Sequence, residues 1–257
     1  MPPLSALARD VGFRPQCTMM QPQVTYYIIL PPQRPDIGDS LRPVARLLQM
    51  DEKLVRQKLL TSTFEVLQRY AKKGNAEGLQ GQLRAFGISS LLVSDQDIRG
   101  HLFLSAAAAN RGAGGIAFRD FNDKPLYCPF EDVGGVALLP VKCDDGKTAT
   151  LIDIHRRSTN ITPRLDAALF SFETLIAKPG ATVEDFLIEL EACTGVRVDR
   201  RLGEQREHLE TVARDFASVP SEFCPPPGML LSPYEKRDAR TANIYSFLLA
   251  TQIRNTL

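Results

Sequence analysis

The order of apolar segments between residues 24 and 94 is the feature that most restricts how this chain can fold. The β-branched and aromatic run Val24–Leu30, closed by Pro31-Pro32, predicts a strand. Two short helical patterns follow, then a strand at Phe64–Tyr70, a third helix and a last strand at Ile88–Val93. A chain with this order predicts a small β-α-α-β-α-β sandwich of the α+β class, with its helices laid on one face of a sheet.

Two glycines interrupt the third helix of this unit. Leu79 and Leu83 lie four residues apart, as expected for a buried helix face, and Gly87 is suited to end the helix. Gly78 and Gly81 are each unfavourable in a helix by about 1 kcal/mol relative to alanine. We therefore expect these two glycines to allow a close approach between the helix and the sheet.

The same element order resembles the C-terminal domain of the ribosomal stalk protein and the related adaptor of the Clp protease. The segment Leu54–Leu60 stands where the stalk protein has a Gly-Leu and lysine-rich second helix. Pro31–Arg34 stands where the Clp adaptor has Asn-Asp after its first strand. The resemblance implies a role in protein–protein contact without catalysis.

The chain becomes rich in short strand patterns after Gly100. Turn-forming residues separate six candidates, which are residues 101–104, 115–118, 126–130, 135–141, 150–155 and 169–172. An amphipathic helix at Val183–Cys193 follows, capped by Thr182 and ended by Gly195. These patterns predict an antiparallel meander or barrel closed by one helix. The arrangement resembles the pleckstrin-homology-like superfold, including its bacterial versions.

The sequence thus divides into four predicted segments. They are an irregular N-terminal arm (1–23), an adaptor-like α+β domain (24–97), a strand-rich pleckstrin-homology-like domain (98–196) and a helical tail (197–257) with a proline-rich linker at 220–228.

The last helix of the tail, predicted over Ala239–Ile253, has a wide apolar face. Its candidate interaction residues are Ile244, Phe247, Leu248 and Ile253. Such a face must be buried against the body of its own chain, a second copy or a partner protein. The sequence leaves these alternatives open.

Charge gives a second candidate site. The 31 basic and 30 acidic residues leave a net charge of +1, which provides no field over the whole chain for nucleic acid. Arg156, Arg157 and Arg164 bracket a hydroxyl-rich loop at Ser158–Pro163, which in a pleckstrin-like fold could bind phosphate groups, including lipid headgroups at a membrane surface, or acidic peptides. A solvated loop explains the same residues. Arg197, Arg200 and Arg201 add positive charge after the closing helix, but no aromatic residues are interleaved with them, so we expect no nucleic-acid partner.

His155 is the first candidate for catalysis. Asp153 lies two residues before it on the same strand face and could orient it as a general base. A strand with alternating polar residues is the alternative, and the sequence has no patterned nucleophile. Cys128, Cys143 and His155 do not have the spacing of a zinc site, so neither a metal nor a cofactor is expected.

The five cysteines are scattered and form no Cys-x-x-Cys pair, and no apolar run is long enough to span a bilayer. The first residues lack a basic segment followed by an apolar stretch. These features predict a cytoplasmic protein. The leading functional hypothesis is a non-enzymatic regulatory or scaffolding protein that binds a protein partner or assembles with itself. The alternatives are an anion- or lipid-headgroup-binding module and an enzyme that uses Asp153 and His155.

Overall fold

The structure is a computed structural model that describes residues 24–256, apart from residues 34, 36, 61 and 217–233. The predicted N-terminal arm (1–23) and the linker at 220–228 lie outside the described residues.

The described residues form ten strands and eight α-helices, with six consecutive strands in the middle of the chain. The strands are Tyr26–Leu30 (β1), Glu65–Tyr70 (β2), Leu91–Ser94 (β3), Leu102–Gly112 (β4), Gly115–Asp120 (β5), Pro125–Pro129 (β6), Val133–Lys142 (β7), Thr148–Arg156 (β8), Ile161–Asp166 (β9) and Val198–Asp199 (β10). The helices are Leu41–Leu48 (α1), Glu52–Leu59 (α2), Lys73–Ala85 (α3), Asp95–Gly100 (α4), Phe172–Ile176 (α5), Val183–Thr194 (α6), Leu202–Asp215 (α7) and Lys236–Asn255 (α8). The prediction of a mixed α+β protein is confirmed.

The first sheet has the antiparallel order β2-β1-β3, so β1 is central. Successive side chains of β1 point to opposite faces. Ile28 and Leu30 join the core formed with α1, α2 and α3, whereas Tyr27 and Ile29 join the core on the other face. The first sheet is therefore covered on both faces.

The second sheet has seven strands in the order β10-β7-β8-β9-β4-β5-β6 and does not close on itself. It differs from an antiparallel meander because β4 pairs with β9, and β10 with β7, in parallel. Ile161–Asp166 is a strand where the sequence predicts a loop, since the hydroxyl-rich run and Pro163 are typical of turns. Residues 169–172 form no strand, because Ser171 caps α5 instead.

Helices α7 and α8 lie between the two sheets. One hydrophobic cluster contains Tyr27 and Ile29 of the first sheet, Leu139 and Leu151 of the second sheet, and Leu248 of α8. The opposite face of the second sheet packs against α5 and α6 in a separate cluster. The predicted tail is thus the middle layer of the molecule. None of the helices in the described ranges has the length and apolarity to cross a membrane.

The close approach of a helix to a sheet occurs at a different pair of glycines from the predicted one. A Cβ atom at Gly78 or Gly81 would meet no atom within 4 Å outside the backbone of its own helix. A Cβ atom at Gly134 or Gly135 of β7 would clash with Ile253 of α8. The prediction that Gly78 and Gly81 allow a close approach of α3 to the sheet is wrong, because both glycines lie on the exposed face of α3.

Candidate functional site

A cluster of buried polar side chains joins the second sheet to α8. Arg164 of β9 donates two hydrogen bonds to the carboxylate of Asp153 on β8, at 2.6 and 2.5 Å. Its third nitrogen donates to Oδ1 of Asn243 at 2.6 Å, and the hydroxyl of Ser246 donates to Asp153. Asp153 and Arg164 are 0% and 2% exposed. We call these four residues the buried ionic cluster.

The strand register accounts for the position of this cluster. Asp153 and Arg164 lie directly opposite each other in the β8–β9 ladder. Asp153 shares its strand face with Leu151, which packs in the cluster that includes α8. The guanidinium of Arg164 also lies 4.1 Å from the ring centre of Phe103. Buried charges are tolerated when they form a bidentate ion pair and the other hydrogen-bonding atoms of both side chains also have partners.

His155 is fully buried beside this cluster and is not hydrogen-bonded to Asp153. Its Nδ1 lies 3.3 Å from Oγ1 of Thr162, which also lies 3.0 Å from Nε2 of His101. Nε2 of His155 and Nδ1 of His101 are buried without a hydrogen-bond partner among the described residues. Burial lowers the pKa of His155 to about 4 and the pKa of His101 to about 3. Both rings are therefore neutral at pH 7, and the carboxylate of Asp153 is bonded to Arg164 rather than to an imidazole.

The three arginines predicted to bind anions are all bonded within the chain. Arg164 belongs to the buried ionic cluster. Arg156 pairs with the carboxylate of Asp132 at 2.7 Å. Arg157 donates to the carbonyl oxygen of Glu131 at 2.7 Å. The structure does not gather these side chains into one basic patch.

The four predicted interaction residues of the tail face other parts of the same chain. Ile244, Phe247 and Leu248 are buried in the cluster between the sheets. Ile253 packs against that cluster and lies over the two glycines of β7. Of the alternatives that the sequence leaves open, the structure has the helix docked within its own chain.

The cysteines and histidines do not assemble a metal centre in the described residues. Cys128 lies in the core between the second sheet and α6, where burial raises its pKa to about 11. Cys143 and His155 pack on the opposite side of the sheet. No three His, Cys, Asp or Glu side chains in the described ranges are placed to hold a metal ion.

A cleft of about 540 Å³ lies between the first sheet and the last turn of α8. Its side chains are amides and hydroxyls, three aliphatic groups and a single guanidinium. The lining residues are Gln80, Arg84, residues 87–92, Gln252, Asn255 and Thr256. We call this the β3 cleft, because one of its walls is the outer edge of β3.

On the outer edge of β3 the backbone of Leu92 has no partner among the described residues, whereas the N–H of Ser94 is bonded to Asp97 and the carbonyl oxygen of Ser90 to Gln80. In an antiparallel ladder, every second residue of a strand bonds the neighbouring strand. Asp95 donates its N–H to the carbonyl oxygen of Thr25, so Val93 and Leu91 are the residues of β3 that bond β1. Leu92 therefore directs its N–H and C=O away from β1. The Oγ of Ser90 in the same wall is buried and has no hydrogen-bond partner among the described residues.

The β3 cleft is not apparent from the sequence. The only sequence pattern pointing to it is the four-residue spacing of Gln80 and Arg84, which places both on one face of α3. Gln80 donates to the carbonyl oxygen of Ser90 at 2.9 Å, which fixes this face over the start of β3. The opposite wall comes from residues more than 150 positions later in the chain, so no local pattern could reveal the cleft.

Comparisons with protein-family models, with curated proteins and with solved structures gave no match for this chain.

Proposed function

We propose that this chain is a non-enzymatic binding protein that captures an extended segment of a partner protein in the β3 cleft. The observation that carries the proposal is the backbone of Leu92, whose N–H and C=O face the cleft without a partner among the described residues. An extended peptide can add to such an edge as a further strand, and its backbone then supplies the missing hydrogen bonds. This mode of binding needs no reactive side chain.

The lining of the β3 cleft favours a peptide over a small metabolite. Pockets for small molecules are mostly lined by apolar and aromatic side chains. Among the residues described along this cleft there is no aromatic side chain, and Gln252 and Asn255 offer amides that suit a peptide backbone. The cleft also contains no His, Cys, Asp or Glu in those residues, so its lining suits binding rather than acid–base catalysis.

The other sheet edges in the described structure differ from the edge of β3. β6 carries Pro125 and Pro129 at its two ends, and β10 has only two residues. Beside β2, His208 of α7 lies 3.1 Å from the carbonyl oxygen of Phe64, the residue that precedes the strand. The edge of β3 borders the cleft, which favours it as the place where a strand is added.

This proposal agrees with the contact role that the resemblance of residues 24–97 to the stalk protein and the Clp adaptor implies. We include in it a cytoplasmic location, which the scattered, unpaired thiols of Cys128, Cys143 and Cys193 support. The pleckstrin-homology-like interpretation of residues 98–196 remains a resemblance based on strands closed by helix α6.

The test is a selection of random displayed peptides on the full-length protein, followed by binding measurements on the enriched peptides. Asn255→Trp places a large ring at an exposed position of the cleft wall, and Gln57→Trp places the same ring on the exposed face of α2. Because the wild type contains no tryptophan, the tryptophan fluorescence of each variant comes from the introduced ring alone. We expect the enriched peptides to bind the wild type and Gln57→Trp, and to bind Asn255→Trp at least about tenfold more weakly.

A backbone measurement supplements this test. Hydrogen exchange at the amide of Leu92 should slow when a selected peptide is bound. Absence of any selected peptide, or equal binding by both tryptophan variants, would overturn the proposal. Light scattering shows whether a second copy of the chain occupies the edge instead, and a dimer sensitive to Asn255→Trp would replace the proposed partner.

A further inference from the structure

Arg84 is the feature of the β3 cleft that distinguishes one class of peptide from another. It is exposed in the last turn of α3 and forms no ion pair with any described residue. It is also the only charged side chain among the described residues that line the cleft.

Four backbone carbonyls at the two helix ends near the cleft have hydrogen-bond donors. The carbonyl oxygens of Leu83 and Arg84 at the end of α3 accept hydrogen bonds from the N–H groups of Phe86, Gly87 and Ile88. At the end of α8, the hydroxyl of Thr256 donates to the carbonyl oxygens of Gln252 and Ile253. The guanidinium of Arg84 is therefore the one formal charge that the described lining residues bring to the cleft.

The position of Arg84 relative to the strand edge is fixed by its neighbour on α3. Gln80 lies one turn earlier on the same helix face and bonds the carbonyl oxygen of Ser90. Arg84 therefore borders the cleft beside the turn that leads into β3. If a peptide paired with the edge at Leu92, one of its side chains would lie beside the guanidinium of Arg84.

We infer that the partner segment is acidic, with a carboxylate side chain that pairs with Arg84 while the peptide backbone pairs with β3. This inference rests on the proposed function, because it names the chemistry of the partner for the same cleft. Arginine binds a carboxylate through two parallel hydrogen bonds, which adds selectivity to the sequence-tolerant pairing of backbones.

The experiment compares peptides selected on the full-length protein with versions in which each Asp or Glu is replaced by Asn, Gln or Lys. Binding is measured by fluorescence anisotropy at low and high salt. We expect the acidic peptides to bind the wild type about tenfold more tightly than the amide versions, with the difference reduced by salt. Arg84→Glu should reverse the preference in favour of the lysine versions. Arg197→Glu makes the same charge change at an exposed position outside the cleft and should leave the preference unchanged.

The outcomes separate this inference from the proposal on which it rests. If selected peptides bind at the cleft but their amide versions bind equally well, the acidic partner is excluded and the strand-addition proposal stands. If the preference for acid survives Arg84→Glu, the inference is also wrong. If no peptide binds the wild type, both fail together.

Discussion

The carboxylate of Asp153 and the guanidinium of Arg164 form the most deeply buried ion pair in the described residues. Removing one partner leaves the other charge in the interior without compensation, so we expect Asp153→Ala to lower the free energy of unfolding by about 3–5 kcal/mol. Urea unfolding at pH 7 measures the change. The matched control is Asp145→Ala, which removes an exposed ion pair with Lys147 and a hydrogen bond from its backbone N–H, and should have a much smaller effect.

A second variant tests whether the ion pair itself or only the uncompensated charge matters. Replacing both partners, as Asp153→Leu with Arg164→Met, removes the pair without leaving a charge behind. Apolar replacements of buried pairs are often tolerated, so the double variant should be more stable than Asp153→Ala. A double variant as unstable as Asp153→Ala would indicate that the bonds to Asn243 and Ser246 hold α8 in place.

Two buried histidines make the stability of the fold depend on pH in a defined direction. Burial lowers the pKa of His155 to about 4 and of His101 to about 3, whereas both titrate near 6.5 in the unfolded chain. Below pH 6.5 the unfolded chain takes up protons that the folded chain does not. The free energy of unfolding should therefore fall as the pH drops from about 6.5 towards 4, with a total loss on the order of several kcal/mol.

The variant His155→Gln tests this dependence. It retains a side chain that can bond Thr162 but cannot take up a proton in this pH range. Urea unfolding at a series of pH values should show a smaller slope for the variant between pH 6.5 and 4.5 than for the wild type. An unchanged slope would show that other groups cause the acid sensitivity.

At the scale of elements, the contact between β7 and α8 depends on the absence of side chains at Gly134 and Gly135. A Cβ at Gly135 would clash with Ile253 of α8, so we expect Gly135→Ala to lower the free energy of unfolding by roughly 1–3 kcal/mol. Gly81→Ala is the matched control, because a Cβ there meets nothing within 4 Å beyond its own helix. It should raise stability by about 0.5–1 kcal/mol through helix propensity. The measurement is the thermal unfolding temperature of both variants. Changes of the same sign, or a higher temperature for Gly135→Ala and a lower one for Gly81→Ala, would contradict this account.

Local patterns predicted most of the elements but not how they pack together. The order of strands and helices from Val24 to Ser94 follows from apolar spacing and capping residues, which act over a few positions. Strand β9 was missed because Pro163 and its hydroxyl-bearing neighbours are typical of turns, whereas in the structure pairing with β4 and β8 makes this segment a strand. The parallel pairing of β4 with β9 joins residues about 60 positions apart, which no local spacing encodes.

The same limit applies to the polar side chains. Asp153 and His155 are correctly placed on one strand face by their spacing, but the partner of each depends on β9 and α8. The Asp153 carboxylate is bonded to Arg164, a residue that the sequence assigned to a different site. Likewise, the β3 cleft is formed between α3, β3 and the end of α8, and its use could be inferred only from the assembled structure.

At the scale of the whole molecule, the position of α8 couples the two sheets. Thirteen residues of α8 are buried, around its whole circumference, because the helix contacts the first sheet on one side and the second sheet on the other. Neither sheet can therefore unfold without exposing the core that it shares with the other.

This coupling predicts a single cooperative unfolding transition. Truncating Leu248, which is fully buried in the shared cluster, to alanine should lower the free energy of unfolding by about 2–5 kcal/mol. Because the cluster includes both sheets, amides of β1 and of β8 should lose their protection against hydrogen exchange by the same amount in Leu248→Ala. A single transition also requires that Leu187→Ala, in the separate cluster between the second sheet and α6, lower the protection of β1 and β8 equally. If β1 kept its protection in Leu248→Ala, or if the wild type unfolded in two transitions, the first sheet would be an independent unit and the β3 cleft could open without the rest of the molecule.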